Sequence, residues 1–130
     1  MSDQVTAIHR YRLSQADAHY GGNLVAGGKL MELFGDVATE LCIRSDGDEG
    51  LFAGYSRVEF LAPLHAGDFI EVSGSIVRRG TTSREMSFEV RRYITPAGDV
   101  SDSSADVVDP PELVARATGT CVVKREQQRL

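Results

Sequence analysis

LVAGGKLMELFGDVATEL, residues 24–41, carries the longest helical pattern in the chain. Two adjacent glycines, Gly27 and Gly28, come directly before apolar residues at the three- and four-residue spacing of an amphipathic helix. Turn-forming residues 46–50 follow this pattern. We therefore predict a long helix from Gly27 to Ile43 that is buried on most of its sides. Its apolar positions are Leu30, Met31, Leu33, Phe34, Val37, Ala38 and Leu41.

On either side of the helix the apolar residues alternate with the period of two that is typical of strands. Five strands are predicted, at residues 5–13, 52–61, 69–77, 85–94 and 114–123. Residues 14–26 are expected to form a loop. Segment 96–112 is acidic, rich in serine and contains two adjacent prolines, so we predict a long loop that forms a lid or moves freely. Residues 125–130 are predicted to be a flexible tail.

One long central helix and about five antiparallel strands indicate an α+β domain in which a curved sheet wraps the helix. The 130 residues fit a single domain, 1–130, with its own core. A sheet of this kind has exposed edges, which pairing with a second subunit covers. The sequence therefore predicts a protein that self-associates.

Composition and charge argue against several classes of protein. The formal net charge of −5 leaves no basic excess to neutralise the phosphates of nucleic acid. No apolar run reaches about 18 residues and no signal-peptide pattern is present, so we expect a cytoplasmic protein without a membrane partner. Cys42 and Cys121 lie in apolar surroundings and are expected to be buried free thiols. The three histidines are scattered, so no metal site is predicted.

The start of the predicted helix is suited to a developing negative charge. The first N–H groups of a helix have no partner within it, and the helix dipole is positive at that end. Glu32, Asp36 and Glu40 follow at intervals of four residues, along one face of the helix. Like charges at this spacing raise each other's proton affinity, which suits acid–base catalysis, although a solvated polar face gives the same pattern. The arrangement indicates chemistry on a carbonyl compound.

The order of the elements, the Gly-Gly helix entry and the sequence VEFLAP at 58–63 followed by Gly67-Asp68 resemble the hotdog fold of acyl-CoA thioesterases and dehydratases. Three blocks are more specific: AHYGGNLV at 18–25, LFGDVATEL at 33–41 and DGDEGLF at 46–52. These blocks resemble the 3-aminobutyryl-CoA ammonia lyases of lysine fermentation, a family related to β-alanyl-CoA ammonia lyase. The resemblance covers roughly residues 8–124.

The resemblance implies the reversible elimination of ammonia from 3-aminobutyryl-CoA to give crotonyl-CoA, a reaction of amino-acid catabolism. It implies that the N–H groups of Gly27 and Gly28 stabilise the thioester oxyanion and that Asp36 removes the α-proton. Glu40 or Glu32 is expected to assist Asp36. The expected partners are an acyl-CoA substrate, ammonia and further copies of the chain, as a dimer or a trimer of dimers. No cofactor is expected, because the thioester itself acidifies the α-proton.

One departure from the family pattern bears on the choice between the reactions of this fold. Seven residues separate Gly28 from Asp36, whereas thioesterases with a Gly-Gly helix entry and a helical Asp have one residue fewer. One residue rotates a side chain by about 100° around a helix. Asp36 therefore does not inherit the position of the thioesterase carboxylate, which favours the lyase. An acyl-CoA thioesterase and a non-catalytic acyl-CoA-binding protein stay open as alternatives.

Polar residues outside the helix are further candidates for the site. His19 is expected to orient a carboxylate or to donate to the thioester, unless it is a plain loop residue. Tyr20 and Asn23 are expected to contact the substrate from the same loop, although Asn23 equally suits a turn. Glu59 is either a further carboxylate of the site or part of an exposed strand face. Asp68, like His65, is expected to be a turn residue.

Basic and hydroxyl residues near the strand ends are the candidates for binding the phosphates of coenzyme A. Thr82, Ser83 and Arg84 offer two hydroxyls and a guanidinium at a predicted turn. The pairs at 78–79 and 91–92 are arginines as well, and the sequence does not choose among these groups.

Overall fold

Helix α1 (Gly27–Asp46) and a five-stranded antiparallel sheet make up most of the computed structural model, which describes residues 4–130. The strands are, in chain order, β1 (Thr6–Arg12), β2 (Ala18–Tyr20), β3 (Leu24–Val25), β4 (Leu51–Phe60), β5 (Phe69–Arg79), β6 (Ser83–Pro96) and β7 (Ala105–Val122). The large sheet has the spatial order β1-β5-β6-β7-β4, and β2 pairs with β3. The predicted α+β class, with one long helix and about five antiparallel strands, is confirmed.

The core lies between α1 and the sheet face to which alternate strand residues point. Along β5 the inward positions are Ile70, Val72, Gly74 and Ile76, all buried, and their neighbours are not. Gly74 marks the place where the helix comes closest, because a Cβ there would lie 2.8 Å from Cγ1 of Val37. The helix and the sheet are therefore in direct backbone-to-side-chain contact at this point.

The opposite face of α1 is open, and the prediction that the helix is buried on most of its sides is wrong for the single chain. Gly28, Glu32, Asp36 and Arg44 are all exposed on this face. The reason is that the sheet covers only one side of the helix, and no second layer covers the other side among the residues that the structure describes.

Helix α1 ends at Asp46 rather than at the predicted Ile43. The terminator is Gly47, which takes a left-handed φ of 71° and donates its N–H to the carbonyl of Ile43 at 2.8 Å. This cap favours glycine, since other residues are strained at positive φ. The turn residues were recognised in the sequence, but the helix runs up to the first of them.

A buried ion pair fixes the C-terminal end of the helix to the sheet. Nε and Nη2 of Arg84 each donate to a different carboxylate oxygen of Asp46 at 2.9 Å. Nη1 of Arg84 also donates to the carbonyls of Gly80 and Ser83. The bonds from Arg84, together with one from Ser45, hold the pKa of Asp46 below its ordinary value in spite of burial. The pair therefore joins the last helical turn to the turn between β5 and β6.

Strands β6 and β7 extend much further than predicted, and the long loop expected at 96–112 is wrong. Ala105 already pairs with Pro96, so the connection between the two strands is residues 97–104. The ladder is interrupted between the pairs Ile94–Val107 and Arg92–Glu112. Residues 108–111 bulge out there and include the two adjacent prolines, which have no N–H to donate to a ladder.

Two other segments expected to lack structure are ordered. The predicted loop 14–26 contains β2, β3 and two short 3-10 turns. The tail 125–130, predicted to be flexible, begins with a 3-10 turn and is tied to the body of the protein. The N–H of Arg129 donates to the carbonyl of Asp46 at 2.8 Å, and the side-chain amide of Gln128 donates to the carbonyl of Val123 at 3.0 Å. The tail therefore packs beside the end of α1.

Cys42 and Cys121 are buried and unbridged, as predicted. Among residues 4–130, the structure contains no helix whose length and apolarity would suit it to crossing a membrane.

Candidate active site

The N-terminal end of α1 opens into a cavity of about 360 Å³. Its walls come from the segment before the helix, from the first helical turn and from the segment that follows β4. The lining residues are Tyr20, Leu24, Val25, Gly27, Leu30, Phe60, Leu61, Ala62, Pro63 and Leu64. A mostly apolar cavity with a few polar groups is the usual form of a site for a small molecule.

Unpaired backbone donors lie beside this cavity. The N-cap residue, Ala26, has no side-chain oxygen that could accept from the first helical turn, and its carbonyl accepts from the N–H of Lys29 at 3.0 Å. The N–H groups of Gly27 and Gly28 have no acceptor among residues 4–130. They point from the positive end of the helix dipole, where an oxyanion is stabilised. The geometry suits the predicted oxyanion role of these two glycines.

Phe60 covers the start of the helix with its ring. A Cβ on Gly27 would lie 2.5 Å from Cζ of Phe60 and 2.9 Å from both Cε1 and Cε2. Nearly equal distances to three ring atoms mean that Gly27 sits against the face of the ring, over Cζ, and not against its edge. Phe60 is nevertheless 53% exposed. A Cβ on Gly28, in contrast, would enter open space.

The wall opposite the helix is held by a buried carboxylate. Asp68 accepts from the N–H of His65 at 2.9 Å, from the hydroxyl of Thr95 at 2.7 Å and from Nη1 of Arg92 at 3.2 Å. The same Nη1 of Arg92 donates to the carbonyl of Pro63 at 2.9 Å. Asp68 is therefore the turn residue that was expected, and through Arg92 it fixes the segment that lines the cavity.

A second ion pair anchors the loop before the helix. Nζ of Lys29 lies 3.3 Å from a carboxylate oxygen of Asp17 and 4.9 Å from the ring centroid of Tyr11. Burial disfavours the charged ammonium, but the hydrogen bonds to Tyr11 and Asp17 outweigh it and raise the pKa of Lys29. Lys29 thus stays protonated, and the carboxylate of Asp17 balances its charge. It does not supply a free positive charge to the cavity.

Asp36, the predicted base, does not line the cavity of its own chain. It follows Gly27 by nine residues, which is about 13 Å along the helix axis and about half a turn away in direction. Its carboxylate is exposed and has no hydrogen-bond or ion-pair partner among residues 4–130. Within one chain, the structure therefore separates the predicted oxyanion site from the predicted base.

The other two carboxylates of this helix face, Glu40 and Glu32, both lie next to basic side chains. Glu40 accepts from Nε of Arg44 at 2.7 Å and lies 2.7 Å from Nε2 of His9. These two contacts lower the pKa of Glu40, so it is a poorer base than a free carboxylate, contrary to the expected rise in proton affinity. Glu32 is 67% exposed and lies 3.4 Å from Nζ of Lys29. The predicted assisting role of Glu40 is not supported by this geometry.

The polar loop residues have different positions relative to the cavity. Tyr20 lines it and is 57% exposed. His19 packs edge-on against the Tyr20 ring, with centroids 4.7 Å apart, so it lies beside the mouth and outside the lining. Asn23 has a left-handed φ of 62°, and its carbonyl accepts from the N–H of Ala66. Of its two expected roles, the structure therefore shows the turn.

Glu59 belongs to the other face of the sheet, and its prediction as a substrate-binding residue is wrong for this chain. Its carboxylate lies 2.7 Å from Nε of Arg116 and 2.9 Å from Nε of Arg57. The bond from Arg116, followed by that from Arg57, lowers the pKa of Glu59. Strand alternation explains this position, because Phe60, the next residue, points into the cavity.

The residues predicted to bind CoA, Thr82, Ser83 and Arg84, lie at the C-terminal end of α1, whereas the cavity is at its N-terminal end. The guanidinium of Arg84 is buried and uses four of its five N–H donors on Asp46, Gly80 and Ser83, so it is not available to a phosphate and this prediction is wrong. Thr82 and Ser83 lie beside it, at the C-terminal end of α1. The helix of 20 residues is about 30 Å long, so the structure does not bring them to the cavity of the same chain.

Sequence reasoning missed Phe60 and the wall that follows it, residues 61–64. Phe60 reads as an ordinary inward residue at the end of a strand, and only its contact with Gly27 shows that it covers the helix start. A signal was present, since the apolar run at 60–64 continues past the strand without alternation.

Replacing each glycine with alanine should separate their roles in the fold. Gly28→Ala is expected to raise the free energy of unfolding by about 0.5 kcal/mol, because alanine favours the helix and its methyl enters open space. Gly27→Ala should raise the free energy of unfolding by less than this, or lower it, because the added methyl displaces the Phe60 ring. Urea unfolding followed by circular dichroism measures both. In a Phe60→Ala background the two alanines should become equivalent, and a persisting difference would contradict the packing described.

Comparison with known proteins shows which family this chain is similar to. The thioesterase superfamily model matches residues 22–95. The 3-aminobutyryl-CoA ammonia lyase of Acetoanaerobium sticklandii is 56% identical over 123 residues, which span 95% of this chain and 98% of that protein.

Solved structures show the same architecture. The β-alanyl-CoA:ammonia lyase from Clostridium propionicum superposes with a TM-score of 0.92 at 38% identity, over 95% of this chain and 88% of that one. A hexameric broad-specificity acyl-coenzyme A thioesterase superposes with a TM-score of 0.76 at 18% identity, over 100% of this chain and 88% of that one. The second similarity shows the shared fold only.

Proposed function

Because the chain belongs to the thioesterase superfamily and, within it, to the family of the 3-aminobutyryl-CoA ammonia lyases, we propose that it is a carbon–nitrogen lyase acting on a CoA thioester. Its reaction is the reversible elimination of ammonia from a 3-aminoacyl-CoA such as 3-aminobutyryl-CoA, a step of amino-acid catabolism. The observation that carries the proposal is the apolar cavity at an uncapped helix start in a chain 56% identical to such a lyase.

In the proposed reaction the thioester oxygen binds at the N–H groups of Gly27 and Gly28. A base removes a proton from the α-carbon, and the electron pair of that C–H bond moves towards the carbonyl to give an enolate. The enolate then forms the α–β double bond while the bond between the β-carbon and the protonated β-nitrogen breaks. The electron pair of that C–N bond leaves with the nitrogen, and the ammonium group departs as neutral ammonia. The helix N-terminus stabilises the enolate oxygen, which typically contributes about 3 kcal/mol for each well-placed donor.

Asp36 is the base in this proposal, and it acts in the cavity of a second copy of the chain. The support is geometric: each cavity has oxyanion donors but no free carboxylate in its lining, and Asp36 is exposed, unpartnered and about 13 Å from its own Gly27. The edge strand β4 ends at the cavity with Phe60 and has a free side for pairing with another copy. Self-association, as a dimer or a trimer of dimers, thereby completes the site.

The proposal needs no group beyond the coenzyme A of the substrate, because the thioester acidifies its own α-proton. Thr82 and Ser83 could contact the nucleotide part of CoA only when it is bound by another copy, since they lie at the far end of α1. Arg84 takes no part in binding it.

The reverse reaction tests the function directly. Crotonyl-CoA with a high concentration of ammonia should lose its enoyl absorbance without release of free thiol, which a thiol reagent measures in parallel. Release of free thiol would identify an acyl-CoA thioesterase, whether or not the absorbance falls. Binding of crotonyl-CoA with neither change would identify a non-catalytic acyl-CoA-binding protein. Either of these two results would overturn the lyase proposal.

A further inference from the structure

Phe60 presents an aromatic surface to the cavity that packing alone does not require. It is a large apolar residue, 53% exposed, and Gly27 lies against the face of its ring near Cζ. Tyr20 places a second exposed ring in the same lining. Half-exposed aromatic rings around a cavity are surfaces on which cations bind.

The acidic groups around the cavity are already occupied. Asp17 is paired with Lys29, and Glu112 is paired with Arg92. Asp68 is fully buried and bound by Arg92, Thr95 and the backbone. Within residues 4–130, no side chain in the cavity lining carries a charge. A cation that enters the cavity of one chain therefore meets aromatic rings and no free carboxylate of that chain.

We propose that the uncovered aromatic surface of Phe60 binds the β-ammonium of the aminoacyl group and makes Phe60 the specificity-determining residue for charged over uncharged acyl chains. The inference rests on the proposed function, which supplies the cationic substrate. A thioester oxygen at the N–H groups of Gly27 or Gly28 is about 2.9 Å from its donor. The β-nitrogen is three bonds from the carbonyl carbon, and Gly27 lies against the Phe60 ring, so the acyl chain has the reach to place its nitrogen within the roughly 6 Å over which a ring attracts a cation.

This mode of binding also suits the bond that must break. An ammonium held by a ring has no ion pair that must be separated when nitrogen leaves as neutral ammonia. A carboxylate in the same position would hold the charged form more firmly than the product. Phe60 therefore recognises the cation while opposing its departure less than a carboxylate in that position would.

The test compares a charged with an uncharged CoA ester in two variants of Phe60. Phe60→Leu keeps an apolar side chain and removes the ring, whereas Phe60→Tyr keeps the ring. For Phe60→Leu we expect the KM for 3-aminobutyryl-CoA to rise about 3- to 30-fold, while the inhibition constant of butyryl-CoA changes less than threefold. Phe60→Tyr should leave both values close to those of the wild-type protein. Circular dichroism checks that both variants are folded.

The outcomes separate the inference from the proposed function. Equal weakening of both esters by Phe60→Leu would show that Phe60 is only an apolar wall, and no weakening would show that it does not contact the acyl group; either result overturns the inference. If the wild-type protein fails to interconvert 3-aminobutyryl-CoA and crotonyl-CoA, the proposed function fails. The Kd values of the two esters, measured by calorimetry, still decide whether Phe60 prefers the charged one.

Discussion

Asp36→Asn is expected to lower the kcat of ammonia elimination by roughly 10²- to 10⁴-fold, the usual contribution of a positioned general base. The amide has nearly the same shape as the carboxylate but cannot accept the α-proton. The free energy of unfolding should change by less than about 0.5 kcal/mol, because Asp36 is exposed and has no partner among residues 4–130. Steady-state kinetics with 3-aminobutyryl-CoA and urea unfolding measure the two effects.

Glu32→Gln is the matched control, because Glu32 lies one helical turn earlier on the same exposed face. It should retain most of the wild-type kcat. Wild-type activity in Asp36→Asn would remove Asp36 from the mechanism and leave the base to be found elsewhere.

Mixed assemblies test whether Asp36 serves the cavity of another copy. Gly28→Val should also be inactive, because its side chain covers the N–H groups at the helix start. When Asp36→Asn and Gly28→Val chains are mixed at random, half of the dimers contain one of each, and one of their two sites has no defect. About a quarter of the wild-type activity should return. No recovery from two inactive variants that do assemble together would place Asp36 and the oxyanion donors in the same chain.

Arg84→Met should have the largest effect on stability, a loss of about 3–5 kcal/mol in the free energy of unfolding. The change leaves the buried carboxylate of Asp46 without its two charge-assisted hydrogen bonds and removes the Arg84 donor from the carbonyls of Gly80 and Ser83. Urea denaturation at neutral pH measures the loss. In contrast, Arg78→Met should lower the free energy of unfolding by less than about 1 kcal/mol. The side chain of Arg78 is exposed, and its ion pair with Glu85, at 3.3 Å, lies at the surface.

The double variant Asp46→Leu/Arg84→Met shows whether the loss comes from an isolated charge. Removing both charged groups should restore much of the stability, since an apolar pair needs no compensation. A double variant as unstable as Arg84→Met would instead assign the loss to packing at the helix end.

The same pair predicts how stability depends on pH. The pKa of Asp46 is lowered from 3.8, chiefly by the bonds from Arg84, so its contribution is complete above pH 3.8 and is lost as the pH falls through the lower value of the folded state. In Arg84→Met the carboxylate is buried without a cationic partner and keeps only the hydrogen bond from Ser45, so protonation then favours the folded state. The stability difference between the two proteins should therefore shrink as the pH falls below about 4. A constant difference across this range would contradict the assignment.

The main elements were predictable because each has a strong local pattern. The helical spacing from Leu30 to Leu41 and the glycines at its start predicted α1 and its first residue, and the alternation of Met86, Phe88 and Val90 predicted a strand of the sheet. The strand residues 105–107 were missed because they lie in an acidic segment close to two prolines. Their pairing with β6 is a long-range contact that no local pattern reports.

The candidate site was predicted only in part, and the errors share a cause. Gly27 was placed correctly, since a helix start with glycines has a local signature. Glu59 and Arg84 were not, because a carboxylate or guanidinium looks the same in the sequence whether it faces a cavity or binds a neighbour. Their true partners, Arg116 and Asp46, are more than 35 residues away and become visible only in three dimensions.

The uncapped start of α1 couples ligand binding to the stability of the fold. Ala26 stands where a serine, threonine, asparagine or aspartate would typically add about 1 kcal/mol to helix stability. In the proposed reaction a thioester oxygen at Gly27 and Gly28 would act as the missing cap, so part of its binding energy would appear as stabilisation of the helix. By mass action, the protein is then most resistant to unfolding when its substrate is abundant. Its lifetime in a cell would follow the supply of the compound that it consumes.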